Sequence, residues 1–303
     1  MIEPNAGDEG YFPRGRSLLR HVHEQRAVGL MYGQRALGVG AVAPLNFVGT
    51  SLHTRAPEAP FQRLAHTAKL FETVFFGSRA EADSVLEFVE RLHRGVVGVL
   101  PADAGPFTAG TPYSAVDPEL MLWTVAVIAD SAQTFFELLV RELSASEREA
   151  LWQDYLRFGE LFGMPLDVAP RSWTEFRCWW DERLSGAEAY LTDDARYLGA
   201  AIMFEIPTPT INSPAMRVHN LIMLGSLPPQ VRALYGLQFS SAQAAAFRAT
   251  VAALRAMRRL TPTSMRSGSN TRFFEQVAAT ERTRIARGRP TPGLPSASTP
   301  RYR

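Results

Sequence analysis

One cysteine and one lysine in 303 residues are the scarcities that first bound this chain. A single thiol, Cys178, excludes a disulfide framework within the chain and a metal site built from cysteines. Its setting, Phe176-Arg177-Cys178-Trp179-Trp180, predicts a buried structural thiol. With Lys69 the lone lysine, nearly all the basic charge is arginine, which reads as the codon bias of a GC-rich genome. The net charge is only +2 and is spread along the chain, so nothing calls for nucleic acid or an acidic membrane surface. The start, Met1-Ile2-Glu3-Pro4-Asn5, lacks the basic and apolar regions of a signal peptide. The longest apolar run, Leu120 to Ala129, stops at Asp130. It falls short of the ~20 residues a spanning helix needs. These absences predict a cytoplasmic protein with no transmembrane segment, peripheral membrane contact being left open. Alternating strands, internal repeats and a composition break marking a linker are missing as well.

What is present is helical punctuation. Apolar residues make up 46% and charged residues 20%, enough to build an ordinary core. The expected fold is all-α: one large domain of about ten helices over residues 16–286, with a buried central helix. A flexible segment over 1–15 precedes it and a disordered, Pro- and Ser-rich tail over 287–303 follows. Gly29, Gly33, Gly38 and Gly40 do not make a dinucleotide-binding pattern and fit close helix packing better. A helix from Phe61 to Phe76 stops at Gly77, and Ser78 with Glu81 forms a capping box for the next. That next helix carries Val85, Leu86, Val89, Leu92, His93 and Val96 at helical spacing. Gly98 to Pro112 reads as a long loop. Asp117-Pro118-Glu119 starts a helix that is apolar nearly all round, hence central. Ser144 opens another helix. Further helices fall near 173–184, 187–204, 214–225, 240–259 and 270–285. A short one from Gln230 to Tyr235 ends at Gly236.

Two polar groupings stand out. Arg63, His66 and Thr67 lie at i, i+3 and i+4 and share a helix face that otherwise looks core-directed. Such groups either pair with each other and the backbone or line a polar cavity. His93 sits on an apolar helix face. It is either a satisfied core histidine or an axial ligand to a haem iron, and a ligand would need a carboxylate or carbonyl on its other ring nitrogen. His21 and His23, two apart on one helix, point to different sides and do not make a metal pair. His219 defaults to a surface or capping role.

The order of these pieces resembles a known family. Arg63-Leu64-x-x-Thr67, Phe76-Gly77, Leu92-His93-Arg94 with Gly98, Tyr113-Ser-Ala-x-Asp117-Pro118-Glu-Leu, Trp123 and Asp130-Ser131 are similar to the MpaB-like and rubber-oxygenase catalytic domain. Gly33-Gln-Arg35-Ala-Leu37 with Pro44 upstream, and Leu227-Pro228-Pro229-x-x-Arg232-x-x-Tyr235-Gly236-Leu237 downstream, extend the likeness over about residues 28 to 240. The resemblance implies an all-helical fold. From the latex-clearing members it also implies haem b and dioxygen-dependent cleavage of an isoprenoid double bond. His93 matches their proximal iron ligand. Arg63 and Thr67 match polar residues of the distal side, and His66 stands where they carry a distal lysine. Two family histidines are replaced, at Ala43 and Val125.

The leading expectation is thus a haem-dependent oxygenase acting on a small or lipidic hydrophobic substrate with dioxygen. His93 would bind the metal, Arg63 and Thr67 would flank the cofactor, and Arg63, His66 and Thr67 would carry the catalytic polar chemistry. One alternative is a haem-free tailoring enzyme of the same fold, using His66 with Glu72 or Asp130 as acid and base. Another is a non-catalytic helical protein that binds a hydrophobic ligand or a partner helix.

Overall fold

The computed structural model describes residues 10–54, 56, 58–208 and 213–289. Its helices, in chain order, are α1 (Leu18–His23), α2 (Arg26–Gly29), α3 (Tyr32–Gly40), α4 (Pro44–Leu52), α5 (Pro60–Phe76) and α6 (Arg79–Arg94). Two short strands follow, β1 (Val97–Val99) and β2 (Pro112–Ser114). Then come α7 (Pro118–Leu139), α8 (Ala145–Leu161), α9 (Trp173–Ser185), α10 (Asp193–Phe204) and α11 (Ser213–Ser226). The last are α12 (Pro229–Tyr235), α13 (Ser241–Leu260), α14 (Thr263–Arg266) and α15 (Thr271–Ala286). The all-α architecture read from the sequence holds. It has more pieces than about ten, because one- and two-turn segments such as α2 and α14 carry too little periodicity to be read.

Helix α7 is the axis of the fold. Asp117 caps it by accepting from the backbone N–H groups of Glu119 and Leu120, and sixteen of its twenty-two residues are buried. By length and mean hydropathy it could cross a bilayer, but 78% of its most apolar stretch is covered by other helices. That is the pattern of a core helix. Around it α1, α2, α3, α4, α8 and α13 are packed. The interior is held by aromatic pairs: Trp123 stacks on Trp180 at 5.4 Å and Trp152 on Phe176 at 4.1 Å. Both family-histidine positions are apolar core here. Ala43 and Val125 are buried, and Val125 is directed at Gly159 of α8.

The α5–α6 hairpin is built by two local devices. Ser78 and Glu81 make the capping box expected for α6, with Glu81 also holding the Ser78 backbone N–H at 2.8 Å. At its other end α5 has no side-chain cap of its own. Buried Glu281 of α15 supplies one, accepting from the N–H groups of Phe61 (3.2 Å) and Gln62 (2.8 Å). A carboxylate there meets both the orphan donors and the positive end of the helix dipole. Phe61, Leu64, Phe274, Val277 and Ile206 form a small separate core under this contact.

Several expectations change. Cys178 is exposed, not buried. On α9 the core positions are Phe176 and Trp180, one turn apart, so the residue midway between them points outward. Residues 10–15, expected to be loose, are anchored: Phe12 is buried against Phe75, and the Tyr11 hydroxyl donates to Asp83 at 2.6 Å. The stretch read as loop between Gly98 and Pro112 ends in an antiparallel pair, with Gly98 opposite Tyr113. Helix α10 begins at Asp193 rather than 187, since Thr192 is its cap and Tyr190 N–H bonds back to Val42. The remainder of the 1–15 segment and most of the 287–303 tail lie outside the described residues.

Candidate active site

Arg63, His66 and Thr67 share a face of α5, and no hydrogen bond, ion pair or ring contact joins them to His93 among the described residues. The His66 ring meets Phe88 edge-on at 6.5 Å, so the middle of α5 faces the second half of α6. His93, on the last turn of α6, then lies level with the first turn of α5, where Arg63 begins its face. At 1.5 Å rise per residue, His66 and His93 are offset by roughly 7 Å along the hairpin axis. Arg63 is fixed by donating to the Thr54 hydroxyl at 2.5 Å, which ties α5 to the end of α4. Thr54 in turn donates to the Thr50 carbonyl at 2.6 Å.

His53, which sequence reasoning passed over, meets Tyr113 of the motif series near this end. His53, the residue after α4, has Nε2 3.2 Å from the Tyr113 hydroxyl of β2. Tyr113 is buried and lies directly over β1. A Cβ on Gly98 would sit 2.5 Å from its hydroxyl, so glycine is needed there for close approach. The only signal in the sequence was Gly98 falling in the same motif series as Tyr113. Their contact is a tertiary fact.

The face is neither dry nor buried. Arg63 and His66 are exposed, while Thr67 and His93 are half-buried. Yet the surrounding protein desolvates Arg63 and lowers its pKa. Burial also lowers the pKa of His93 below 6.5, so its imidazole is neutral at pH 7. His93 lies on the same face of α6 as Val85, Leu86 and Val89. Neither ring nitrogen has a hydrogen-bond partner among the described residues, so the carboxylate or carbonyl expected for an oriented ligand is not supplied there. Exposed apolar side chains occur on the neighbouring elements. Leu52, Phe88, Leu92, Val97, Val99 and Val116 are six of the fourteen large apolar side chains left exposed in the described residues, and all lie on α4, α6, β1 or the segment between β2 and α7.

Haem b, implied by the family resemblance, can be tested against these groups. No cluster of three His, Cys, Asp or Glu able to hold a metal ion occurs among the described residues. A site whose iron takes four bonds from a porphyrin needs only one imidazole from the protein. His93 supplies a neutral imidazole with unpartnered nitrogens, and the apolar side chains suit a flat macrocycle. The residues present fit the group.

The carboxylates offered for haem-free acid–base chemistry are engaged elsewhere. Glu72 accepts from Ser269, Thr271 and the Asn270 N–H at the start of α15. Asp130 is buried mid-α7, with Oδ2 2.8 Å from Arg35 in ion-pair contact and Oδ1 accepting from Arg177 at 2.7 Å. Asp130, Arg35 and Arg177 border, with Thr134, Ser226 and Pro228, a cleft of about 480 Å³ that does not include the α5–α6 face. His23 is buried against Tyr155 and His21 is exposed, so neither joins the site. His219 is half-buried and pairs with Asn220, away from the surface role expected.

Two mycobacterial relatives, the uncharacterized protein Mb2261 of Mycobacterium bovis and the uncharacterized protein Rv2237 of Mycobacterium tuberculosis, are each 26% identical over 205 residues. The match covers 67% of this chain and 76% of each relative. No solved structure matches the chain. The family model described as ER-bound oxygenase mpaB/B'/Rubber oxygenase, catalytic domain, matches residues 20–256, which include every residue of the α5–α6 face, and the chain belongs to that oxygenase family.

Proposed function

We propose that this chain is a haem-b-dependent oxygenase that acts with dioxygen on a small or lipidic hydrophobic substrate, and that His93 would hold the haem. The observation that carries the reading is a neutral imidazole on the last turn of α6, without a hydrogen-bond partner among the described residues, on a helix that also exposes Phe88 and Leu92. When bound, haem b supplies oxygen activation for oxidative attack on an unsaturated carbon skeleton.

The chain's own residues divide the remaining work. His93 stays unprotonated across neutral pH because burial disfavours its cation, which keeps a lone pair available. Leu92, Phe88 and Val97 present apolar surface that holds a hydrophobic substrate and sheds water as it binds. Arg63 cannot lose its proton at physiological pH. Fixed by Thr54, it offers a positive charge and spare donors to negative charge developing on reacting oxygen atoms. Thr67, one turn further along the same face, adds a hydroxyl donor. His66 supplies an imidazole where the latex-clearing members carry a lysine, and its position across from Phe88 puts it at the rim of the same surface.

The test is an absorption spectrum of protein expressed with haem supplied, beside a His93→Ala variant. A strong Soret band in the wild type and its loss in a folded variant is the expected result. Wild-type protein that melts cooperatively but shows no Soret band overturns the proposal. A band that survives in His93→Ala overturns the ligand assignment.

A further inference from the structure

We propose a second binding site, for a phosphate-type oxyanion, in a cleft at the opposite end of the central helix. Val140, Arg141, Glu142, Arg255, Arg258, Arg259 and Arg266 line a cleft of about 380 Å³. Helix α7 begins beside the candidate active site and ends here, and twenty-two residues at 1.5 Å each separate the two by roughly 33 Å. The two sites are therefore distinct.

Five guanidiniums around one cleft need explaining, and local structure accounts for only two. Arg255 donates to the Leu138 carbonyl at 2.8 Å and to the Glu137 carbonyl, capping the C-terminal end of α7. Arg141 is bound doubly to Glu147, at 2.8 and 2.7 Å. The other three have no carboxylate within ion-pair distance among the described residues. Arg258 gives one donor to Gln25 Oε1 at 2.5 Å. Arg266 gives one to the Thr263 hydroxyl at 2.9 Å, and its Nε is buried with no acceptor. Arg259 is exposed on the same turn of α13 as Arg258. Burial, and secondarily the charge of Arg266, lower the pKa of Arg258, as expected for two cations close together in a partly desolvated cleft.

Such an arrangement is costly empty and favourable filled. A buried guanidinium N–H without an acceptor forfeits its hydration. Neighbouring like charges repel in a medium less polar than water. An oxyanion with several acceptor oxygens answers both at once, and guanidinium forks match phosphate geometry with paired hydrogen bonds. The cleft is much larger than one phosphate, so an attached organic group is accommodated. Free phosphorylated small molecules and phospholipid headgroups present the same chemistry. Leu260 and Met265, both exposed at the neighbouring helix ends, give a lipid apolar surface to touch.

The experiment uses the full chain and an Arg258→Gln/Arg266→Gln double variant, each checked by its melting temperature without ligand. Inorganic phosphate and pyrophosphate are titrated by thermal shift at constant ionic strength with chloride as control. Co-sedimentation with phosphatidylcholine vesicles containing 30 mol% phosphatidic acid, beside vesicles without it, forms the second arm. A saturable rise in Tm with phosphate or pyrophosphate, weakened at least tenfold in affinity by the double variant, supports a site for free phosphorylated ligands. Binding only to acidic vesicles, lost in the variant, supports the headgroup form of the same site. No saturable shift and no vesicle binding overturns the proposal, as does equal binding by a folded double variant.

Discussion

Protonation of His23 should make this fold acid-sensitive in a way that one substitution isolates. His23 is buried, stacked on Phe75 at 4.2 Å with Tyr32 edge-on at 4.6 Å, and its Nε2 lies 2.7 Å from the Tyr155 hydroxyl. No acid faces it. The Tyr32 and Tyr155 hydroxyls are themselves pushed toward the neutral form by burial, so neither offers a negative charge. Desolvation lowers the His23 pKa from 6.5 to about 3. Above pH 6.5 the ring is neutral in both folded and unfolded chains and contributes no pH dependence. Below pH 6.5 the unfolded chain binds a proton that the folded chain refuses, so stability falls with decreasing pH until the folded pKa is reached. The slope for one proton is about 1.4 kcal/mol per pH unit. Between pH 6.5 and 4.5 the loss is therefore roughly 2 to 3 kcal/mol from this residue alone. Urea unfolding at half-unit steps from pH 7.5 to 4.5 measures it, with His23→Phe as reference. The variant leaves Tyr155 without its partner and starts lower by about 1 to 3 kcal/mol. Its stability should fall less steeply than wild type by close to one proton below pH 6.5. Parallel curves would refute the reasoning, because they would mean that His23 titrates alike in both states.

Asp130→Asn should destabilise the protein by about 3 to 5 kcal/mol, since it leaves Arg35, only 2% exposed, as an uncompensated buried charge. The half-exposed Arg177 adds little to that figure because solvent screens it. Urea unfolding at pH 7.5 checks this, and a loss under 1 kcal/mol would show that the ion pair is dispensable. Cys178 should react with a thiol reagent in the native state at a rate close to that of the urea-unfolded chain, because its side chain is exposed. Protection that disappears only on unfolding would contradict the placement of α9. Arg63→Gln should lower turnover of any substrate found by at least tenfold while sparing haem content, because it removes the fixed charge and leaves His93 in place.

Where the sequence states a local rule, the structure follows it. Ser78 with Glu81, Asp117 before Pro118, Ser144 with Glu147 and Gly236 after Tyr235 each mark a terminus. The first three satisfy orphan donors within a few residues, and Gly236 takes the left-handed conformation, φ +69°, that glycine adopts without strain. What was not legible depends on partners far along the chain. Helix α4 hides because Gly49, Thr50 and Ser51 give it little periodicity, while its burial comes from α7 and β2. The β1–β2 pair has three residues per strand, too few for an alternation to register. Cys178 was misjudged from the aromatic company it keeps in sequence, although the 3.6-residue period already placed it between Phe176 and Trp180 and off their face.

The candidate site shows the same division at finer scale. Helical spacing alone put Arg63, His66 and Thr67 on one face, and the structure keeps them there. Spacing could not say that this face is open to solvent rather than sealed in the core, because that depends on what covers it. Nor could it name the residue that sets where α5 begins. Glu281 lies some 220 residues beyond the helix it caps and outside the stretch that the family model matches. With no cap on Ala59 and proline at its first turn, α5 depends on that carboxylate to satisfy its first N–H groups. The first turn of α5 carries Arg63, so the charge at the candidate site is positioned from α15, through a hydrogen bond that no motif records. Helical spacing accounts for which residues share the α5 face. The tertiary cap accounts for how they are held there.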